Sequence, residues 1–241
     1  MLIVTEWTKL RTVRATWLIL AIQQSLIIAG VSGLAVGGTN LNTPKGVGTL
    51  LAHAGIASAI LSLVLGITAV AGEYRHRSIT DTYLATPTRT PVIIAKLTAY
   101  GAVGVLFGAI SAVTGLATTA IWTTAKGGTL DLAAAQADRI LVGIVAFNLA
   151  YAVVGVSLGA LIRNLTAAVV IALVWIVLVE TTVANLLGDL GRWLPNRAGM
   201  ALNAMGVQNL LPQWGAALVL AAYAAVFAAV ALTTTIRRDV T

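Results

Sequence analysis

Six long apolar runs alternate with short polar segments along the chain. The runs cover residues 15–36, 49–71, 92–119, 140–162, 165–183 and 215–235. Each has roughly the 20 residues that a helix needs to cross a hydrocarbon core of about 30 Å. The pattern predicts an all-α integral membrane protein with six transmembrane helices, forming a single domain over residues 1–241.

The composition agrees with this pattern. Hydrophobic residues make up 59% of the chain and charged residues only 10%, against about 25% charged residues in soluble domains. Lys9, Arg11 and Arg14 precede the first run, as in a signal peptide. That run is longer than a signal core and five more follow, so we expect it to be retained as a span.

The distribution of basic residues predicts the orientation of the chain. With six spans, both termini fall on one side of the membrane. That side carries ten Lys and Arg residues and the opposite side carries five. By the positive-inside rule, both termini are expected in the cytoplasm, together with the segment between the second and third runs.

The first fourteen residues have the pattern of an interfacial helix. Ile3, Trp7 and Leu10 fall on one helical face, whereas Glu6 and Lys9 fall elsewhere. A helix of this kind is expected to lie flat on the bilayer, with its apolar face in the lipid.

Residues 72–91 form a charged loop between two apolar runs. Glu73, Arg77 and Asp81 are spaced four apart and predict an ion-pair ladder on one helical face. Ile79 and Tyr83 predict an apolar strip on another face. The segment therefore predicts a short amphipathic helix.

A defined turn is expected to follow this helix. Pro87 disfavours helix just before it, Thr90 is a candidate N-cap, and Pro91 suits the first turn of the third span. A short helix held in this way would transmit motion to the spans. Its basic residues have two interpretations: they mark the topology and meet anionic lipid, or they belong to a docking surface for a protein.

The loop and the N-terminus resemble ABC type-2 transporter permeases. The loop residues that carry the resemblance are Glu73, Arg75, Ser78, Ile79, Leu84, Thr86, Pro87 and Arg89, followed by Ala95-Lys96-Leu97. At the N-terminus the matching segment is Glu6-Trp7-Thr8-Lys9-Leu10-Arg11-Thr12, with Trp17 at the membrane entry. The chain departs from the pattern at His76 and Arg77, where many relatives carry a small residue.

The resemblance implies a permease subunit of an ATP-driven exporter in the plasma membrane. It would work as a dimer of identical copies with two copies of a separate ATPase, and would export a small amphipathic molecule, drug, peptide or lipid. The chain contains no G-x-x-x-x-G-K-[ST] segment, so we expect it not to be an enzyme and expect ATP and Mg to bind to the partner. The implied coupling residues are Glu6, Lys9, Arg11, Glu73, Arg75, Arg77, Asp81, Tyr83 and Arg89.

Three polar residues within the spans are candidates for a substrate pathway. Gln23 and Gln24 lie in the first span, where unsatisfied polar groups are costly. They either bond to neighbouring helices or line the pathway, and adjacent glutamines are expected not to share one groove. Glu180 lies near the outer end of the fifth span and needs a partner or water. Arg192 or Arg197 could neutralise it, and proton coupling is the alternative.

The remaining patterns concern packing and the outer face. Residues 184–214 repeat apolar positions at helical spacing between glycines and a proline, which predicts a re-entrant segment that caps the pathway or an interfacial hairpin. Two G-x-x-x-G pairs, Gly104 with Gly108 and Gly155 with Gly159, favour internal helix packing over a subunit interface. The first and fifth spans are the other candidates for a dimer contact.

Several other functions find no support in the sequence. There are no cysteines, and the two histidines, His53 and His76, lie on different stretches, so a metal site is not expected. No catalytic grouping is present, and nucleic acid is not an expected partner. The rival hypothesis is a nucleotide-independent membrane transporter, or an immunity or scaffold protein. Secondary transporters usually have charged or broken helices at the midplane, which this chain mostly lacks.

Overall fold

The computed structural model describes residues 2–75 and 89–237, and the regular elements in these ranges are helices. They are α1 (Leu2–Thr12), α2 (Arg14–Val36), α3 (Pro44–Arg75), α4 (Arg89–Ala125), α5 (Ala137–Ile162), α6 (Leu165–Val174), α7 (Glu180–Leu187), α8 (Pro195–Leu202) and α9 (Gln213–Arg237). A π-helical turn, Trp175–Val179, joins α6 to α7. A 3₁₀ turn, Gly188–Trp193, leads to α8.

Six helices are long and apolar enough to cross a membrane. The fifth of them, Leu165–Trp193, combines α6, the π turn, α7 and the 3₁₀ turn. The prediction of an all-α, multi-pass membrane protein is thereby confirmed.

Two central helices extend beyond the apolar runs. α3 continues to Arg75, so Glu73 lies on its last turn and not in a loop. α4 begins at Arg89, so Thr90 lies within the helix and the predicted N-cap at Thr90 is wrong. Pro91 lies in the first turn, as predicted. The apolar runs underestimate the lengths of α3 and α4, because helical hydrogen bonding continues through polar residues at the ends of a span.

Successive spans run in opposite directions and define two ends of the bundle. We call the end that holds α1, the last turn of α3 and the first turns of α4 the α1 end. The opposite end holds α8 and the start of α9. Residues 76–88, with the predicted helix and turn, lie outside the described residues.

Helices α3, α4 and α5 form the centre of the bundle. In their most apolar windows 67%, 56% and 61% of the residues are buried, against 22% to 28% for the first, fifth and sixth spans. The three outer spans therefore present apolar side chains outward, as a bilayer requires.

Glycines bring the central helices into close contact. A Cβ built on Gly155 would overlap the carbonyl oxygen of Leu63, and one built on Gly66 would overlap that of Ala152. Gly104 and Gly108 lie in the same way against the backbone of α5. Both G-x-x-x-G pairs thus pack helices of one chain, as the sequence favoured.

A buried polar group joins α3 to α5. The Asn148 side chain donates to Ser58 Oγ at 2.8 Å and accepts from Ser62 Oγ at 2.6 Å. All three residues are fully buried, so these bonds satisfy groups that neither lipid nor water reaches.

A double-mutant cycle between Asn148→Ala and Ser62→Ala should show that this contact is real but modest. We expect a coupling energy of about 0.6 kcal/mol, the average for hydrogen bonds between membrane helices. Unfolding of the purified single and double variants in mild detergent provides the measurement. Strictly additive losses would contradict the bond between α3 and α5.

Gln23 and Gln24 both contact the same serine of α4. Gln23 Nε2 donates to Ser111 Oγ at 2.8 Å, and Gln24 Nε2 lies 3.3 Å from the same oxygen. The expectation that adjacent glutamines would not share a groove is wrong, because long side chains converge on one acceptor from different angles. Gln23 is fully buried, so it serves the packing of α2 on α4.

Candidate functional site

Four charged side chains meet at the α1 end. Glu6 and Lys9 come from α1, Glu73 from the last turn of α3, and Lys96 from the first turns of α4. We call these four residues the ion-pair cluster. Three helices contribute to it, and two of them flank the segment 76–88.

Lys96 is the centre of the cluster. Its Nζ donates to Glu6 Oε2 at 2.9 Å, to Glu73 Oε1 at 2.8 Å and to the carbonyl oxygen of Ala69 at 3.1 Å. An ammonium group has three hydrogens, so each finds an acceptor. The side chain is 0% exposed, and a charge buried to this extent persists only when it is paired and hydrogen-bonded.

Lys9 closes the cluster from the outside. Its Nζ lies 3.1 Å from Glu6 Oε1 and 2.8 Å from Glu73 Oε1. Burial lowers the pKa of Lys9, but hydrogen bonds to Glu73 and Glu6 and the charges of both carboxylates outweigh it and raise the pKa above 10.5. Lys9 is therefore protonated at neutral pH, and two ammonium groups balance two carboxylates.

Apolar residues shield the cluster from solvent. Leu10 of α1 packs with Val70 of α3 and Ile93 of α4 in one buried group that also includes Tyr100. Lys96 and Glu6 are thereby removed from water, while the Lys9 side chain stays 36% exposed, and electrostatic interactions around the buried pair are stronger than at an exposed surface.

The face of α1 that packs on the bundle differs from the predicted apolar face. Glu6 and Leu10 are both 4% exposed, whereas Trp7 is 40% exposed. Glu6 and Leu10 are four residues apart and so lie on one side of the helix. The prediction that Leu10 faces the lipid together with Trp7 is wrong, because Leu10 packs on the bundle beside Glu6, whose carboxylate finds a buried partner in Lys96.

The structure brings together three of the nine predicted coupling residues: Glu6, Lys9 and Glu73. Arg11 and Arg75 are exposed. Arg89 begins α4. The other three, Arg77, Asp81 and Tyr83, lie outside the described residues.

Two functional residues escaped the sequence reasoning. The sequence-based prediction names Lys96 only within the Ala95-Lys96-Leu97 segment of the resemblance, although a lysine that follows four apolar positions at the start of a span needs a partner for its charge. Arg163 ends α5 in a left-handed conformation, and its guanidinium lies 5.3 Å from the centre of the Tyr74 ring. That cation–π contact links α5 to the residue after Glu73.

Glu180 occupies a separate site at the opposite end. It is 1% exposed, and its Oε1 accepts hydrogen bonds from the backbone N–H groups of Asn196 and Arg197, the latter at 3.2 Å. The carboxylate thus caps the N-terminus of α8 from a different helix. An arginine side chain was the expected partner, but the described contacts are to backbone N–H groups.

Comparison with known proteins adds no assignment. The chain matches no family model, and no curated protein is significantly similar to it. Fold and site together define an all-helical, multi-pass membrane protein with a buried ion-pair cluster at one end of its bundle.

Proposed function

We propose that the chain is the permease subunit of an ATP-driven exporter of the ABC type-2 class. The observation that carries the proposal is the bond pattern of Lys96, which holds Glu6 and Glu73 at once. The N-terminal helix is thereby fastened to the two central helices whose ends flank residues 76–88. These are the segments on which the resemblance places the contact with an ATPase.

The cluster suits the transmission of force. α1 cannot move away from α3 and α4 without separating buried opposite charges, which costs several kcal/mol. A pull on α1 or on the segment 76–88 therefore moves α3 and α4 together. Since α3 also packs closely on α5 through Gly66 and Gly155, the motion reaches the whole centre of the bundle.

The proposed assembly has two permease copies and two ATPase copies in the plasma membrane. The excess of Lys and Arg on the side of the α1 end supports a cytoplasmic position for that end and both termini. ATP and Mg would bind to the partner ATPase, and the permease would contribute coupling and the pathway. The cargo class is a small amphipathic molecule.

Glu73→Lys tests the coupling role. The substitution places three lysines around Glu6, so α1 should separate from the bundle. Export by membrane vesicles that contain the chain and its copurifying ATPase should fall at least tenfold, while ATP hydrolysis continues without transport. A factor of ten corresponds to about 1.4 kcal/mol, less than the cost of breaking a buried ion pair.

Asp138→Lys is the matched control. Asp138 is an exposed acid at the start of α5, at the opposite end of the bundle, and its reversal should leave export unchanged. Both variants should insert into the membrane in equal amounts. Unaltered export by Glu73→Lys, or the failure of any ATPase to copurify with the chain, would contradict the proposal and favour the nucleotide-independent rival.

A further inference from the structure

An apolar cavity of about 290 Å³ lies between the fifth span and the rest of the bundle. Its lining includes Tyr151 of α5, Trp175 and Ile176 of the π turn, and Leu220 and Tyr223 of α9. Its volume lies just below the range of ligand sites, about 300–1,000 Å³. Trp175 is 44% exposed, so one wall of the cavity lies at the surface of the bundle.

The cavity lies beside a break in helical regularity. Trp175 and Ile176 belong to a π-helical turn, a feature that is frequent at functional sites. Pro195, the first residue of α8, also lines the cavity. Three segments of different helices therefore converge there.

Two unpaired acceptors lie next to the cavity. Glu180 follows Ile176 by four residues, about one helical turn, and Asn196 follows Pro195 directly. Both line a second cavity of about 250 Å³. Glu180 Oε2 and Asn196 Oδ1 are buried and have no hydrogen-bond partner within the described structure. Buried acceptors of this kind require a donor, and a ligand can provide it.

Glu180 forms no ion pair with a described Lys or Arg. Arg197 also lines the second cavity and interacts with the charge of Glu180 from a longer distance, and its Nη2 lies 3.5 Å from Asn185 Oδ1. Tyr151 and Tyr223 line the apolar cavity and lie close enough to Glu180 to interact with its charge. Carboxylate, amide oxygen and aromatic faces are groups that attract an ammonium ion.

We infer that these two cavities form one binding site for a small amphipathic primary ammonium ion. The ammonium donates to Glu180 Oε2 and Asn196 Oδ1, and the apolar body fills the cavity next to Tyr151 and Tyr223. The binding site itself requires no ATPase. That such a molecule is also the exported cargo rests on the proposed function.

Binding of octylammonium to the full chain in lipid nanodiscs tests the inference. Equilibrium dialysis against protein-free nanodiscs corrects for partition into the lipid. We expect saturable binding of octylammonium and at least tenfold weaker binding of neutral octanol, because hydrogen bonds to charged groups contribute roughly ten- to a hundredfold in affinity. Glu180→Gln keeps an oxygen for the α8 N–H groups and should weaken octylammonium binding at least tenfold while leaving octanol binding unchanged.

Two further variants separate the roles of charge and cavity. Asp189→Asn removes an exposed acid at the same end, whose side chain bonds to Asn209, and should bind octylammonium like the unaltered chain. Val154→Phe should weaken the binding of both octylammonium and octanol, because Val154 lines the apolar cavity.

The inference is overturned if octylammonium shows no saturable binding, or if the Glu180→Gln variant binds octylammonium as tightly as the unaltered chain. The binding assay contains no ATP, so a negative result would not contradict the proposal that the chain is an exporter subunit. Conversely, evidence against the exporter proposal would not change the measured binding of octylammonium.

Discussion

Lys96→Met is expected to lower the free energy of unfolding by about 3–5 kcal/mol, the usual cost of breaking a buried ion pair by removing one partner. Methionine has nearly the volume of lysine, so packing changes little. Glu6 and Glu73 would then share only Lys9, and a buried carboxylate would be left without full compensation. The ordered contact of α1 with α3 and α4 should be lost first. Unfolding in mild detergent, combined with proteolysis of the N-terminal segment, measures both effects.

Two companion variants make this prediction specific. Lys126→Met removes an exposed lysine at the opposite end, which donates to the Ala35 carbonyl oxygen, and should cost under 1 kcal/mol. Lys96→Met combined with Glu6→Gln restores charge balance in the cluster. The double variant should therefore be more stable than Lys96→Met alone, since neighbouring sites are not additive. A loss in the double variant equal to the sum of the losses in Lys96→Met and in Glu6→Gln alone would show that the cluster is not a coupled unit.

Gly155→Ala should destabilise the chain by about 2–3 kcal/mol through overpacking alone. The added methyl group would overlap the carbonyl oxygen of Leu63 and press on Gly66. Backbone cannot rotate away as a flexible side chain can, so α3 and α5 must separate. That separation would strain the neighbouring bonds of Asn148 to Ser58 and Ser62. Thermal unfolding of the purified variant and the yield of folded protein report the effect.

Gly72→Ala is the matched control on α3. Among the described residues, no atom outside the surrounding turns of its own helix lies within 4 Å of a Cβ built on Gly72, and alanine favours helix over glycine by roughly 0.5–1 kcal/mol. This variant should therefore be neutral or slightly more stable. A similar loss in both variants would mean that general helix effects, and not the contact with Leu63, explain the result at Gly155.

The positions of the spans could be predicted because they depend on local composition. A stretch of about 20 apolar residues is stable in a bilayer whatever its neighbours are. The glycine pairs were also readable, since small residues four apart make a flat helix face that allows close approach. Only the folded structure shows which backbone each glycine face contacts: Gly155 lies against Leu63, and Gly104 lies against Asn148.

The candidate site was predicted only in part. Charge and resemblance indicated Glu6, Lys9 and Glu73, but not that a fully buried lysine joins them. The four-residue spacing suggested Arg77 as the partner of Glu73, because sequence reasoning finds the nearest opposite charge along one helix. The described partners of Glu73 are Lys9 and Lys96, 64 and 23 residues away. Such distances along the chain leave no periodic signal.

The sequence by itself determined the class of this protein: its apolar runs fix six membrane helices, and the distribution of basic residues predicts which side they start from. Tertiary structure decided which polar groups meet. Lys96 reaches Glu6 across 90 residues, and Glu180 caps α8 from 16 residues before it. The physical reason is that crossing a bilayer requires only local hydrophobicity, whereas satisfying a buried charge requires a particular partner, and helix packing alone brings that partner within 3 Å.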